Sequence, residues 1–303
     1  MLNVTNDVVA FILSHGRADN CLTYKVLKKI GFSGRIKIII DDEDEQGDLY
    51  RKNFGAENVI TFCKATEMER PCHADNFGTR STVLYARNAT FRIAREVGCK
   101  YFIMLDDDYS YFTFRREIGG KFASLIVKDN FDAIVEAYVE FLEVSKAAVL
   151  CCAQNGDYVG GPGSMAYKNP ILRKAMNVYF FKTDAEPYYF TGAQNDDVNT
   201  YVLANMRGKL VMTSTSLAIN QPMTQANKGG LTDMYLKYGT YTKSFSTVVV
   251  APSCCQVHVL GSPGKTRVGH FRPHHRISWV HTAPMILSDK WKKGGRKATT
   301  EGI

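Results

Sequence analysis

The sequence predicts an α/β fold: a mixed, mostly parallel sheet flanked by helices. Three observations predict it. Apolar strand-like runs alternate with helix-periodic stretches through residues 1–110, the order of a parallel sheet with helical crossovers. Polar clusters fall at the carboxyl ends of those runs, where open α/β sheets bind ligands. The same stretch lacks G-x-G-x-x-G and G-x-x-x-x-G-K-[ST], which argues against a Rossmann dinucleotide site and a P-loop.

The elements follow in order. Val8–Leu13 is an unbroken apolar run, the pattern of a buried parallel strand, and it ends in Ser14-His15-Gly16-Arg17. Leu22, Val26, Leu27 and Ile30 keep helical spacing until Gly31 and Gly34 end it. Residues 35–40 read as a second strand, closed by Asp41-Asp42-Glu43-Asp44, and Val59–Phe62 as a third. Residues 64–80 read as a long polar loop, and 82–97 as a helix with Gly98 as its stop. Residues 101–105 are a fourth buried strand, ending in Asp106-Asp107-Asp108.

Beyond Tyr109 the pattern changes. Residues 130–146 place Phe131, Ile134, Val135, Tyr138, Phe141 and Leu142 on one helical stripe. Residues 147–153 read as a strand and 156–164 as a glycine-rich loop. Residues 166–178 and 197–205 read as strand and helix pieces, and 210–213 and 247–251 as strand-like stretches. The tail from Ser288 reads as basic and loose.

Charge divides the chain unevenly. Its 38 Lys and Arg against 30 Asp and Glu give a net +8. Residues 264–303 hold nine basic and two acidic side chains, a net +7, so residues 1–263 carry only +1. A polyanionic partner is therefore a question about the C-terminal stretch, not about the body. The eight cysteines include two adjacent pairs and no C-x-x-C, which disfavours a cysteine zinc site and suits a reducing compartment. No basic signal-peptide region precedes the first apolar run, and no apolar run approaches membrane-spanning length. A soluble, cytoplasmic protein is expected.

Asp106-Asp107-Asp108 is the strongest chemical signal. Three carboxylates at a strand end repel one another unless a cation joins them, and hard oxygen donors suit Mg²⁺ or Mn²⁺. The plainer alternative is a solvated acidic turn. A metal–diphosphate site without a glycine loop points to a nucleotide-sugar enzyme. Asp196-Asp197 marks a second acidic pair at a helix start, where carboxylates also serve as N-terminal caps. Five of the seven histidines fall between His258 and His281. Gly160-Gly161-Pro162-Gly163 offers close backbone approach to a ligand or an ordinary turn. The aromatic runs 109–114 and 188–190 suit stacking or core packing alike.

Tyr85-Ala86-Arg87-Asn88, a helix, Gly98, a strand and then the acidic triplet form an order that resembles the GT-A glycosyltransferases. Residues 11–17, 40–44, Asn53-Phe54-Gly55, 85–88, 101–109 and 272–279 narrow the likeness to the TET/JBP-associated glycosyltransferases, a GT-A group found largely in bacteriophages. The resemblance runs from about residue 8 to about 287. It implies one GT-A-like domain over 1–287, with 1–110 binding the nucleotide sugar and 111–287 the acceptor, and a basic tail at 288–303.

The resemblance further implies transfer from a UDP sugar to a hydroxyl of a modified DNA base, such as 5-hydroxymethylcytosine in phage DNA, in the host cytoplasm. Ser14, His15, Arg17, Asp41, Asp42, Tyr85, Arg87, Asp106, Asp107 and Gly161 are expected to bind the donor. Asp106 and Asp108, with His274 or then His275, are expected to hold Mn²⁺ or Mg²⁺. Asp197 is expected to take the acceptor's proton and Asp196 to contact acceptor or sugar. Lys265, Arg267, Arg272, Arg276 and the 290–297 run, with Lys292 and Lys293, are expected on DNA phosphates. The alternative is the same catalytic apparatus acting on a polysaccharide or protein. A non-enzymatic nucleic-acid module is disfavoured by the intact acidic triplet.

Overall fold

The computed structural model describes residues 2–74, 80–119, 121–154, 163, 168–169, 171–221, 231–239, 242–262 and 270–282. Its strands are β1 (Val8–Leu13), β2 (Arg35–Asp41), β3 (Val59–Phe62), β4 (Tyr101–Asp106), β5 (Tyr111–Ile118), β6 (Lys121–Ile126), β7 (Val149–Gln154), β8 (Ile171–Leu172), β9 (Asn177–Lys182), β10 (Val211–Asn220), β11 (Cys255–Ser262) and β12 (His270–Ile277). The helices are α1 (Val4–Asp7), α2 (Leu22–Lys29), α3 (Gly47–Phe54), α4 (Lys64–Met68), α5 (Leu84–Val97), α6 (Phe131–Ser145), α7 (Asp196–Met206), α8 (Thr232–Tyr238), α9 (Thr242–Val250) and α10 (Trp279–Thr282).

Ten strands form one sheet in the order β3-β2-β1-β4-β9-β7-β10-β5-β6, with β8 on β10. The strands β3, β2, β1 and β4 run parallel, β9 lies antiparallel between β4 and β7, and β5 and β6 close the far edge antiparallel. The fold is thus a mixed α/β sheet flanked by helices, as the alternation predicts. A separate antiparallel ribbon joins β11 to β12.

All six β1 residues are buried. Side chains alternate across a strand, and Val8, Ala10 and Ile12 enter one core while Val9, Phe11 and Leu13 enter the other. The first core packs α2, α3 and α6, and the second packs α5 and α7. In the second, Phe102 stacks on Phe181 at 5.1 Å and meets Phe11 edge-on at 5.9 Å. Truncating Phe102 to Ala would cost about 3–5 kcal/mol by the usual scale for a buried aromatic. Gly98, left-handed at φ 69°, ends α5 by donating to the carbonyls of Ala94 and Arg95.

Two sequence expectations need correction. Residues 247–250 belong to α9, not to a strand. The β-branched run Thr247-Val248-Val249-Val250 suggests a strand, in which Thr247 and Val249 would share one face. Instead Thr247 is fully buried and Val249 is 73% exposed. Hydrogen bonds to the start of α7 decide this: Asn195 Nδ2 donates to Thr247 Oγ1 at 2.6 Å and Ser246 Oγ donates to the Gln194 carbonyl at 3.1 Å. The polar stretch 64–80 is also not wholly loop, since α4 occupies its start. Among the described residues no helix is long and apolar enough to cross a membrane.

Candidate functional site

The chain passes from β1 to β2 on one side and returns to β4 on the other, both parallel to β1. Their carboxyl ends therefore diverge at a topological switch point, the place where such sheets bind ligands. Leu13 pairs with Asp106, so the residues after each strand face one another. Asp107 is 3% exposed and is engaged by the β1 loop: Ser14 Oγ donates to one oxygen and Arg17 Nη1 to the other at 2.7 Å. Tyr50 extends the lock, with its hydroxyl 2.7 Å from Ser14 Oγ and accepting the Arg17 amide at 2.8 Å. Asp107 thus positions the loop that was expected to bind donor beside it.

Thr23, in the first turn of α2, holds the acidic turn by its backbone. Its Oγ1 donates to the Asp106 carbonyl at 2.6 Å and accepts the Tyr109 amide at 3.0 Å, and its own amide donates to the Asp107 carbonyl at 3.1 Å. Asp107 and Asp108 lie in the turn that follows β4, and Asp106 and Asp108 are near enough to act as like charges on one another. Burial, with Asp106 and Asp107 as like charges nearby, pushes the Asp108 carboxyl up to about 6. A divalent cation is the natural partner for such a pair, and a site with one or two protein carboxylates fits a metal shared with substrate phosphate.

On the outer side, His15 Nδ1 lies 2.8 Å from Asp41 Oδ2, and this hydrogen bond raises the imidazole. Burial pushes Asp41 up, but His15 and Lys64 outweigh it and hold the carboxyl below its usual range. Lys64 Nζ, itself buried, sits 3.5 Å from Asp41 and 3.4 Å from Glu43, and Arg80 also pairs with Glu43. Asp42 is exposed and accepts the Lys64 amide at 2.9 Å at the start of α4. Lys64, Thr23 and Tyr50 carry no motif that sequence reading could have singled out, whereas Glu43 belongs to the acidic cluster that ends β2.

The Arg-Asn pair on α5 ties the end of β4 to the start of α7. Asn88 makes two hydrogen bonds to the Phe190 backbone, at 2.7 and 3.1 Å, and so fixes the segment leading to α7. Arg87 is buried under the rings of Tyr179 and Phe190, with Nη1 2.7 Å from Asp196 and Nη2 3.6 Å from Asp106. One guanidinium therefore joins the acidic triplet to the acidic pair. Gly192, at φ 87°, is required between them, because a Cβ would meet Asn199 Nδ2 at 2.4 Å.

Asn195 precedes α7, and its side chain turns to α9 instead of capping the helix. Asp197 is the less buried of the acidic pair and accepts the Val198 amide at 2.7 Å. Burial pushes both carboxyls of the pair up, and Arg87 pulls both back without reversing the direction. Lys243 on α9 also pulls Asp197 down. Among the described residues the Tyr85 hydroxyl and His73 Nε2 are buried with no hydrogen-bond partner, and their rings meet at 5.6 Å. Such orphaned groups suit a polar ligand.

Among the described residues no three His, Cys, Asp or Glu side chains converge as a metal cage, so the expected set of Asp106, Asp108 and a histidine is not assembled. Asn195 Nδ2 lies 3.4 Å from His275 Nδ1, which places His275 against the start of α7, and His274 folds back so that Nδ1 reaches the His275 carbonyl at 2.7 Å. Both contacts engage Nδ1, so Nε2 is the nitrogen of each ring that could take a metal. Burial, with His274 and Lys243 adding repulsion, lowers His275 to about 4. Arg276 is exposed on β12, and Arg272 lies on the same strand. Gly161, Lys265, Arg267, Lys292 and Lys293 lie outside the described residues.

Among solved structures, the glucosyl-3-phosphoglycerate synthase of Mycobacterium tuberculosis, in complex with Mg²⁺ and UDP, is 9% identical with TM-score 0.42, over 90% of this chain and 88% of that one. Its complex with Mn²⁺, UDP and glucosyl-3-phosphoglycerate gives 8% and 0.42 over the same shares. A further mycobacterial protein gives 7% and 0.43, over 88% of this chain and 83% of that one. These values carry no residue or ligand across. No curated protein matches the chain. The family model for the TET-Associated Glycosyltransferase matches residues 8–230, well over half of the sequence. The chain belongs to the TET-associated glycosyltransferases and is a glycosyltransferase.

Proposed function

We propose that this enzyme moves a sugar from a UDP sugar to a hydroxyl on a modified DNA base, such as 5-hydroxymethylcytosine in bacteriophage DNA. The observation that supports the reading is the Arg87 bridge, in which one guanidinium contacts Asp106 at the end of β4 and Asp196 at the start of α7. The family description and the basic C-terminal stretch support DNA as the acceptor. Eight free thiols suit the reducing cytoplasm of a host.

In this reading the 1–110 half holds the donor, with His15, Arg17, Asp41 and Tyr85 around the nucleotide. Ser14, Asp42 and Asp107 position those loops. Asp106 and Asp108 would hold Mn²⁺ or Mg²⁺, which offsets charge on the departing diphosphate when bound. Asp196 is engaged by Arg87, which leaves Asp197 to receive the proton of the acceptor hydroxyl. The acceptor oxygen then bonds to the anomeric carbon, and the bond from that carbon to the diphosphate oxygen breaks with its electrons going to the nucleotide. A base inside a duplex is shielded, so the acceptor must leave the stack.

The test is incubation with hydroxymethylated DNA and a panel of nucleotide sugars, followed by mass measurement of the released nucleosides. A mass increment of one sugar on the modified nucleoside is expected. No increment with any donor, alongside transfer to a polysaccharide or protein, would overturn the DNA reading.

A further inference from the structure

The β11–β12 ribbon is not needed to complete the main sheet, yet it is anchored beside the acidic pair. Cross-strand register places Cys255 with Ile277, Val257 with His275, Val259 with Pro273 and Gly261 with Phe271 on one face. That face begins inside the protein and ends in solvent: Cys255 is 1% exposed, Val257 43%, Val259 57% and Phe271 75%. The Phe271 ring lies over Gly261, where an added Cβ would meet it at 3.2 Å. His275, at the root of this face, lies against Asn195, next to the acidic pair.

The alternate face carries Gln256 with Arg276 and His258 with His274. Its charge is of one sign. Between Met234 and Ser288 the sequence has six Lys and Arg and no Asp or Glu, and two of the six, Lys265 and Arg267, fall between the two strands. An apolar face backed by one that carries Arg276 and no carboxylate suits a partner that offers negative charge and flat apolar surface together. It fits a duplex, whose phosphates line the groove and whose bases form its floor. The major groove admits a two-stranded ribbon. Five residue steps from Val257 to Ser262 reach about 17 Å, twice the groove depth of about 8.5 Å.

We infer that the β11–β12 pair is a DNA-engaging arm, which enters the acceptor duplex with Arg276 on phosphates and Phe271 against the base stack. This rests on DNA being the acceptor. A ring wedged at a base step lowers the cost of extruding the neighbouring base, because unstacking is shared with the protein. The arm's root lies at α7, so the extruded base is delivered next to Asp197.

The experiment uses the full chain and a fluorescent duplex with one 5-hydroxymethylcytosine beside a 2-aminopurine. Binding is followed by anisotropy across a salt series, and unstacking by 2-aminopurine emission. Phe271→Ala is expected to weaken binding about tenfold, to abolish the emission rise and to leave the salt slope unchanged. Arg276→Gln is expected to lower the slope by about one and to keep the emission rise. Both sites are exposed, so melting temperatures should match wild type. A wild-type protein that neither binds nor modifies this duplex overturns the DNA reading itself. Wild-type binding with both variants indistinguishable from it overturns the arm alone. So does a dimer that Phe271→Ala dissociates without any change in DNA affinity.

Discussion

The two regions proposed to hold donor and acceptor are built in opposite ways. On the donor side, Ser14, Arg17, Thr23 and Tyr50 close a hydrogen-bonded frame around Asp107 before any ligand arrives. On the proposed acceptor side, the ribbon exposes Val259 and Phe271, and His275 ties its root to the start of α7. A small, highly charged donor favours donors and acceptors fixed in advance, because reorganisation during reaction is costly. A large acceptor must instead be able to reach the edge. Arg87 belongs to both sides, being the one guanidinium that contacts Asp106 and Asp196 together.

The largest effect should come from breaking that junction. Arg87→Met leaves Asp196 buried without its cation and should destabilise the fold by about 3–5 kcal/mol. A denaturant melt with an unchanged midpoint would contradict the junction. Asp108→Ala should reduce sugar transfer by about 100- to 1000-fold with little loss of fold stability. Full transfer activity in this variant would remove Asp108 from the donor apparatus.

The pH profile sharpens the same contrast. Asp108 is raised to about 6, and the Asp196–Asp197 pair is raised in the same direction. As pH falls toward and below 6, these carboxylates take up protons earlier than free ones would, so kcat/KM should fall. Their raised positions make the ionised forms a cost to folding at neutral pH, so their own contribution to stability grows as pH falls. A flat kcat/KM between pH 7 and about 5 would show that none of them must be ionised.

Smaller changes test the frame itself. Asp107→Asn weakens two charge-assisted hydrogen bonds and should cost about 1–3 kcal/mol, with a raised KM for donor and little change in DNA affinity. Thr23→Ala should cost about 1 kcal/mol by freeing the Asp106–Tyr109 turn. Val249→Ala, on the exposed side of α9, should stay within about 0.5 kcal/mol. A large loss there would mean that the residue is covered by something outside the described residues.

Much of this edge is legible along the chain. β1, β2, β3 and β4 follow from apolar runs with polar ends, and α5 from its periodicity and Gly98, because each is a local pattern that one face of an element imposes. Asp106-Asp107-Asp108, Arg87-Asn88 and Asp196-Asp197 are visible as groups for the same reason. Local pattern misleads at residues 247–250, where β-branched residues suggest a strand and hydrogen bonds to α7 make a helix.

By itself, the sequence determines the α/β class, the parallel strands of residues 1–110 and the asymmetry of charge, all of which are readable within a few residues or by counting. Tertiary structure alone decides what each carboxylate does. Asp107 differs from its neighbours by the side chains of Ser14 and Arg17, which reach it from the loop after β1. Arg87 and Asp196 meet across 109 residues of sequence. The antiparallel insertion of β9 and the anchoring of the β11–β12 ribbon at α7 are likewise contacts between distant segments. Periodicity records which face of an element is buried, but not which partner buries it.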